Sequence, residues 1–116
     1  MERAGEKLEV ARSLLEDGFY PDAVSRAYYA MFYAARALLA EREVYPKTHR
    51  GVISRFGLEF VKDGTFEREI FDLFARAQED REEADYGLLA EIGEEEARKV
   101  VEGAALFLKE CEKFEG

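Results

Sequence analysis

The sequence predicts an all-α fold, a five-helix up-and-down antiparallel bundle in one domain spanning residues 1–116. Apolar residues recur at helical spacing along almost the whole chain, and no stretch shows the alternation of a half-buried strand. The only two prolines, Pro21 and Pro46, stand where one helix ends and the next begins. Short connections between long amphipathic helices are typical of an antiparallel bundle.

The first two helices are predicted over roughly residues 2–17 and from about Pro21 to about Arg42. Gly18 ends the first, because glycine readily adopts the left-handed conformation that closes many helices. In the second helix, alanines at spacings of four, three, four and three residues form a seam against which another helix can pack closely. These alanines are Ala23, Ala27, Ala30, Ala34 and Ala37. Since apolar residues cover most of its circumference, we expect the second helix to be the central one.

Three further helices complete the bundle. The third begins near Thr48, as its N-cap, and ends near Lys62. The fourth extends from about Phe66 to Asp85 or beyond, and Arg81 falls in phase with its apolar stripe. The fifth begins near residues 94–96, three glutamates that suit the positive end of a helix dipole. Residues 88–93 form the connection between the last two helices.

Composition restricts the class of function. Asp and Glu number 26 against 17 Lys and Arg, which gives a formal net charge of −9, and 47% of the residues are hydrophobic. This balance excludes a disordered chain and a broad basic face that coats nucleic acid, and it leaves open a small local phosphate site. The absence of Asn and the single Gln, beside many charged residues, are typical of heat-adapted proteins.

The same composition bears on location and cofactors. No apolar run is long enough to cross a bilayer, and the chain begins directly with an amphipathic pattern rather than a signal peptide. Cys111 is the sole cysteine, which excludes an internal disulfide and a multi-cysteine metal site. We therefore expect a cytoplasmic protein with no membrane attachment, no metal and no other cofactor. Nine Phe and six Tyr exceed what one small core readily hides, which favours a homodimer.

Polar residues at positions predicted to be interior are candidates for a site. On the second helix, Arg26, Tyr29, Tyr33 and Arg36 share one side of a mostly apolar helix. A buried arginine requires an anionic partner, so we expect Arg26 to pair with a carboxylate of another helix, with a ligand site as the alternative.

On the fourth helix, Arg81 and Asp85 are one turn apart and can pair directly. Two interpretations are open. The pair is an intrahelical salt bridge with Tyr86 closing the helix, or Arg81 binds a phosphate or a base edge while Asp85 orients its guanidinium.

A basic island covers residues 46–58, which include Lys47, Arg50 and Arg55 and no acidic residue. It also contains His49, the only histidine, whose side chain titrates near neutral pH. Positive charge at the start of a helix is unfavourable, so Lys47 and Arg50 require a nearby anion. That anion is an acidic helix of the same bundle, a second subunit or a nucleic-acid phosphate.

Three blocks, in this order along the chain, carry a family resemblance. They are Ser25-Arg26-Ala27-Tyr28-Tyr29-Ala30-Met31-Phe32-Tyr33-Ala34-Ala35, Thr48-His49-Arg50-Gly51 and Arg81-x-x-x-Asp85-Tyr86. Together they resemble the HEPN-domain superfamily and, more narrowly, its stand-alone UPF0332 branch. The resemblance implies a helical bundle that forms homodimers and works with a minimal nucleotidyltransferase in a toxin–antitoxin-like pair. It also implies that active members are metal-independent ribonucleases with an Arg-x4–6-His motif. In some pairs the nucleotidyltransferase modifies a tyrosine just beyond that motif, the place that Tyr86 occupies here.

The chain departs from the ribonuclease motif that the resemblance implies. Its late block has Asp85 in the place of the histidine, at a spacing one residue short, and an ionised aspartate is a poor proton donor. The segment from Arg42 to His49 meets the spacing but spans the turn that contains Pro46.

We therefore expect a nucleotide- or RNA-binding partner of a minimal nucleotidyltransferase. Its expected ligand contacts are Arg26, Tyr29, His49, Arg50, Arg81, Asp85 and Tyr86. One alternative is a metal-independent endoribonuclease, in which His49 is the general acid/base and Arg42 or Arg81 stabilises the phosphate. The other is a purely structural interaction module in which every interior charge is paired.

Overall fold

A computed structural model of the protein shows the predicted all-α bundle. The structure describes residues 1–86 and 92–114, and of residues 83–86 the backbone alone. Within these residues the chain forms five α-helices and one short π-helical turn. The helices are α1 (Glu2–Glu16), α2 (Tyr20–Glu41), α3 (His49–Phe56), α4 (Arg68–Tyr86) and α5 (Glu94–Glu112), and the π-helical turn is Gly57–Val61. Most of the expected connection 88–93 lies outside the described residues.

The predicted third helix is divided in two by the π-helical turn. The Lys62 amide donates to the Gly57 carbonyl over 3.1 Å, a bond five residues long instead of four. Glycine at this position lets an aromatic ring approach, because a Cβ on Gly57 would lie 3.2 Å from Cζ of Phe71. Phe66 also falls outside α4, since its amide donates to the carbonyl of Phe60 over 2.7 Å and so belongs to the preceding turn.

Helix α2 is the central element, as its composition predicts. It packs against α1, α3, α4 and α5. Four alanines of the predicted seam (Ala23, Ala27, Ala30 and Ala34) are fully buried, and Ala37 is partly buried. Small side chains allow the close approach of helices that this arrangement needs.

The part of the core that α3, α4 and α5 enclose consists of phenylalanine rings. We call this set the phenylalanine core, and its members are Phe56, Phe60, Phe66, Phe74 and Phe107. Ring centroids are 4.8 Å apart for Phe56 and Phe60, and 5.2 Å apart for Phe74 and Phe107. Such tilted and edge-to-face contacts are favourable in addition to the area they bury.

Arg81 follows the buried face of α4, which also carries Phe74, Ala77 and Gln78. The spacing of these residues is that of one helical stripe, and Arg81 retains only 8% of its exposure. The prediction that Arg81 is an interior residue is therefore confirmed. In the part of the chain that the structure describes, no helix is both long and apolar enough to traverse a membrane.

Candidate functional site

Five side chains from three helices gather beside the central helix. We call them the His49 cluster: Tyr28, Tyr29 and Phe32 of α2, His49 at the start of α3, and Arg81 of α4. The Tyr28 hydroxyl lies 2.8 Å from Nδ1 of His49, and the imidazole stacks on Phe32 at a centroid distance of 4.3 Å. The guanidinium carbon of Arg81 lies 5.2 Å from the ring centroid of Tyr28 and 5.9 Å from that of Tyr29.

The block from Thr48 to Gly51 fixes the position of His49. Thr48 is the N-cap of α3, as predicted, and its side-chain oxygen accepts a hydrogen bond from the Gly51 amide over 2.9 Å. Gly51 has no side chain to interfere, since a Cβ there would lie only 2.9 Å from Oγ1 of Thr48. His49 is thus the first helical residue after a well-formed cap, directly opposite Tyr28 and Phe32.

Burial and nearby cations control the protonation of the cluster. The pKa of His49 lies below its ordinary value because of burial first, and then because of the charges of Arg81 and Arg36. Burial raises the pKa of the Tyr28 hydroxyl, which the charge of Arg81 only partly opposes. At neutral pH the imidazole and the phenol are therefore uncharged.

An open cleft of about 480 Å³ adjoins the cluster. Its described lining consists of Tyr29, Phe32, Tyr33, Arg36, Pro46, Lys47, Thr48 and His49. Arg36 also lies over the Phe32 ring, at 5.5 Å from its centroid. None of these lining residues is acidic, in a chain whose net charge is −9.

A second cleft, of about 330 Å³, shares Tyr33, Arg36 and Pro46 with the first. Arg3 lies over the Tyr33 ring at 5.1 Å, and Tyr45, which is 69% exposed, stands at its margin. Its described lining also lacks an acidic side chain. The two clefts are therefore adjacent, and both are lined by aromatic rings and positively charged side chains.

The expectation that Arg26 is buried and paired with a carboxylate of another helix is wrong. Arg26 is exposed, and it forms no ion pair with a described residue. The stripe of α2 on which it lies is not covered by another helix, so Tyr29 and Tyr33 are partly buried and Arg36 is exposed. Tyr29, Tyr33 and Arg36, which lie on this stripe, line the clefts and are not part of the interior of the bundle.

The cations of the basic island differ in whether they form an ion pair with a described carboxylate. Arg55 pairs with Glu59 at 3.3 Å, whereas Lys47 and Arg50 are exposed and form no ion pair with a described carboxylate. Lys47 lines the first cleft, and Arg50 is not among the described lining residues. The anion that Lys47 and Arg50 require is therefore not supplied by the described part of the bundle.

Arg42 does not join the cluster. Its guanidinium donates to the carbonyl of Glu59, lies 3.8 Å from a carboxylate oxygen of Asp63 and covers the ring of Phe60 at 4.0 Å. The pKa of His49 accordingly responds to Arg81 and Arg36. Of the two arginines considered beside His49, the structure brings Arg81 to it.

Two expected ligand contacts, Asp85 and Tyr86, have side chains outside the described residues, so the pairing of Arg81 with Asp85 lies outside them too. Seven residues of the cluster and its cleft were not among the expected contacts: Tyr28, Phe32, Tyr33, Arg36, Pro46, Lys47 and Thr48. Tyr28 carries a usable signal, because a hydroxyl on a fully buried stripe needs a partner and His49 is the one it finds. Among the described residues, no group of three or more His, Cys, Asp or Glu side chains is arranged to hold a metal ion.

Comparison with known proteins agrees with this architecture. A family model described as the HEPN domain matches residues 1–114, and the chain therefore belongs to the HEPN domain family. A Methanocaldococcus jannaschii protein named "Putative toxin" is 39% identical over 114 residues, which cover 98% of this chain and 78% of that protein. A second protein of the same name and organism is 40% identical over 113 residues, which cover 97% and 84%.

The narrower resemblance is confirmed as well. A Thermotoga maritima protein named UPF0332 is 39% identical over 112 residues, covering 97% of this chain and 85% of the relative.

Proposed function

We propose that this chain is a toxin-like HEPN protein that binds RNA or a nucleotide at the His49 cluster and its clefts. The observation that carries the proposal is that none of the described lining residues of either cleft is acidic. A chain with a net charge of −9 repels polyanions over most of its surface, so a local tract of cations and aromatic faces is where a nucleic-acid strand would be accepted.

The two clefts favour a strand over a single nucleotide. Bases stack on exposed aromatic faces, which contributes about 1–3 kcal/mol per base and requires no particular sequence. Tyr29 and Tyr45 offer such faces in neighbouring clefts, and Arg36, which both clefts share, lies between them to meet a phosphate. A single-stranded segment of two or more nucleotides would use both clefts together.

The biological setting is part of the proposal. Two relatives carry a toxin name, and we infer that this chain is the toxin-like member of a pair with a minimal nucleotidyltransferase, working in the cytoplasm. We also propose a homodimer, because several large apolar side chains stay exposed in one copy. They are Val10, Phe19, Leu58, Leu106 and Phe114. Light scattering at micromolar concentration should give twice the mass of the chain, and a monomer there would contradict the dimer.

A second candidate function is metal-independent endoribonuclease activity. The observation that favours it is that His49 and Arg81 both contact Tyr28, so an imidazole and a guanidinium lie beside the same side chain. In this role His49 would be the general acid/base and Arg81 would stabilise the charge that develops on the phosphate. Cleavage of RNA in the presence of a chelator, and its loss in His49→Ala, would replace binding by catalysis as the function.

The experiment that tests the proposal is fluorescence anisotropy with a labelled single-stranded RNA. The site variant is Arg36→Ala with Lys47→Ala. The matched control is Arg68→Ala with Lys109→Ala, which removes the same charge from two exposed residues that line neither cleft.

We expect the site variant to weaken RNA binding at least about tenfold, since each lost charge-assisted contact contributes about 1.5–3 kcal/mol. The slope of log K against log salt should also fall by about 1.4, at roughly 0.7 per phosphate contact of a single strand. The control should stay within about twofold of the wild type at physiological salt, because screening limits the effect of distant charges. Equal losses in both variants, or no binding by the wild type, would reject the proposed site.

A further inference from the structure

The hydrogen bond between Tyr28 and His49 occupies one of the two ring nitrogens of the only histidine. It joins the Tyr28 hydroxyl to Nδ1 over 2.8 Å, and Tyr28 is fully buried. No hydrogen bond from a described residue reaches Nε2. The ring lines the first cleft, so Nε2 is the nitrogen that remains for a ligand.

The charged groups around the Tyr28–His49 hydrogen bond indicate which of the two side chains donates the proton. A neutral imidazole has one donor and one acceptor nitrogen, and an imidazolium has two donors. Arg81 and Arg36 both oppose an imidazolium, and Glu82, which acts on Tyr28, does not appear among the charges that act on His49. If Nδ1 carried the proton, the buried hydroxyl of Tyr28 would need another acceptor, and it forms no hydrogen bond with any other described residue. This requirement favours the hydroxyl as the donor and Nδ1 as the acceptor.

We propose that Tyr28 is a positioning residue that holds His49 in the tautomer with its proton on Nε2, so that Nε2 donates a hydrogen bond to an anionic oxygen of the ligand. This inference rests on the proposed function for the identity of the ligand, a phosphate group of RNA. It assigns a role to a side chain that does not itself line the cleft. It also separates binding from catalysis, because an Nε2 that carries the proton has no lone pair to act as a base at rest.

The free protein provides the first test. Because the chain has one histidine, nitrogen-15 labelling of histidine gives a single pair of ring signals in the NMR spectrum. At pH 7.5 we expect a protonated Nε2 and an unprotonated Nδ1 in the wild type. Tyr28→Phe keeps the ring and removes the donor, so both signals should move toward the averaged positions of a mixed tautomer.

The matched control is the adjacent Tyr29→Phe. The Tyr29 ring meets His49 edge-on at 5.8 Å, but its hydroxyl forms no hydrogen bond with the imidazole. This variant should leave the two nitrogen signals unchanged. Circular dichroism confirms that each variant folds. A protonated Nδ1 in the wild type, or an unchanged tautomer in Tyr28→Phe, would overturn the inference.

The second test uses the labelled single-stranded RNA. In Tyr28→Phe, loss of the tautomer preference halves the fraction of molecules whose Nε2 carries the proton. Binding should therefore weaken about twofold, since apparent affinity scales with the fraction that can bind. His49→Gln should retain more affinity than His49→Ala, because an amide nitrogen can still donate from the position of Nε2. Equal losses in the two His49 variants would overturn the ligand role of Nε2. Absence of RNA binding by the wild type would reject the proposed function and this ligand role, while the NMR result decides the tautomer independently.

Discussion

The phenylalanine core and the His49 cluster both consist largely of aromatic side chains, and a contact between two rings joins them. The rings of Phe74 and Tyr28 stack across their boundary at a centroid distance of 6.0 Å. On one side the rings carry no polar atoms and are closed to solvent. On the other side a hydroxyl, an imidazole and a guanidinium are added to similar rings, and a cleft opens beside them. The comparison indicates that one region maintains the fold and the other uses the resulting rigidity to hold polar groups in place.

The phenylalanine core and the His49 cluster also differ in how specific their residue requirements are. The phenylalanine core takes residues from α3, the π-helical turn, the segment before α4, and α4 and α5, and any apolar residue of the right volume contributes to it. The His49 cluster depends on particular atoms, such as the hydroxyl of Tyr28 and Nδ1 of His49. Substitutions should therefore have stability effects in the core and binding effects in the cluster, and the following predictions test this separation.

The largest effect is expected for Phe107→Ala in the phenylalanine core. Phe107 is fully buried and contacts the rings of Phe56, Phe66 and Phe74. Removal of such a side chain leaves a cavity and should lower the free energy of unfolding by about 3–5 kcal/mol, measured by urea denaturation. The nearby Lys109→Ala, at an exposed residue of the same helix, should cost less than about 0.5 kcal/mol. Similar losses in the two variants would contradict a closed core at Phe107.

The next effect concerns charge in the cluster. Arg81→Met removes the guanidinium that acts on His49, so the pKa of His49 should rise, as measured by an NMR titration of its ring signals. Arg36→Met should raise this pKa less, because Arg36 has the smaller influence.

Arg42→Met is the control for this prediction, since Arg42 is bound to Glu59 and Asp63 instead. It should leave the pKa of His49 unchanged. A larger change in Arg42→Met than in Arg81→Met would show that a different arginine lies beside the imidazole.

The features that sequence reasoning identified are those with local causes. The alanine seam, the N-cap Thr48 and the interior phase of Arg81 each follow from spacing along one helix. The expectation that Arg26 is buried was wrong because it depended on which sides of α2 other helices cover, which is a tertiary property. The bond between Tyr28 and His49 joins residues 21 positions apart, and no local pattern predicts it.

A medium effect is expected at the cap that places His49. Thr48→Ala removes the acceptor of the Gly51 amide and should lower the free energy of unfolding by about 1 kcal/mol. Gly51→Ala should also destabilise, because its Cβ would lie 2.9 Å from the Thr48 hydroxyl. In a Thr48→Ala background the hydroxyl is absent and only the Cβ of Pro46 stays close, at 3.3 Å, so Gly51→Ala should cost less than it does in the wild type. Alanine also favours a helix by about 0.5–1 kcal/mol over glycine.

This double-mutant cycle has a clear contrary outcome. If the losses of unfolding free energy in the two single variants simply add, Gly51 is not required for the cap that Thr48 forms. The glycine at position 51 then needs another explanation. The expected coupling would instead show that Thr48 and Gly51 act as one unit.

The smallest effect is the pH dependence that His49 gives to stability. In the folded protein the pKa of His49 is lowered, chiefly by burial, whereas the unfolded chain binds this proton from about pH 6.5 downward. As the pH falls through that region, the unfolded state takes up a proton that the folded state resists, so folding stability falls. Above the unfolded pKa this contribution is fully present. The slope cannot exceed about 1.4 kcal/mol per pH unit for one proton, and a partly buried ring should give less.

His49→Gln has no group that titrates in this range and provides the reference, so the carboxylates common to both proteins cancel. The free energy of unfolding of the wild type minus that of His49→Gln, measured by urea denaturation from pH 7.5 to 5.5, should decrease as the pH falls. The opposite slope would mean that the folded cluster stabilises an imidazolium. In that case Nδ1 would carry a proton, Tyr28 would accept instead of donate, and the His49 cluster would be a charged site, sharply unlike the phenylalanine core beside it.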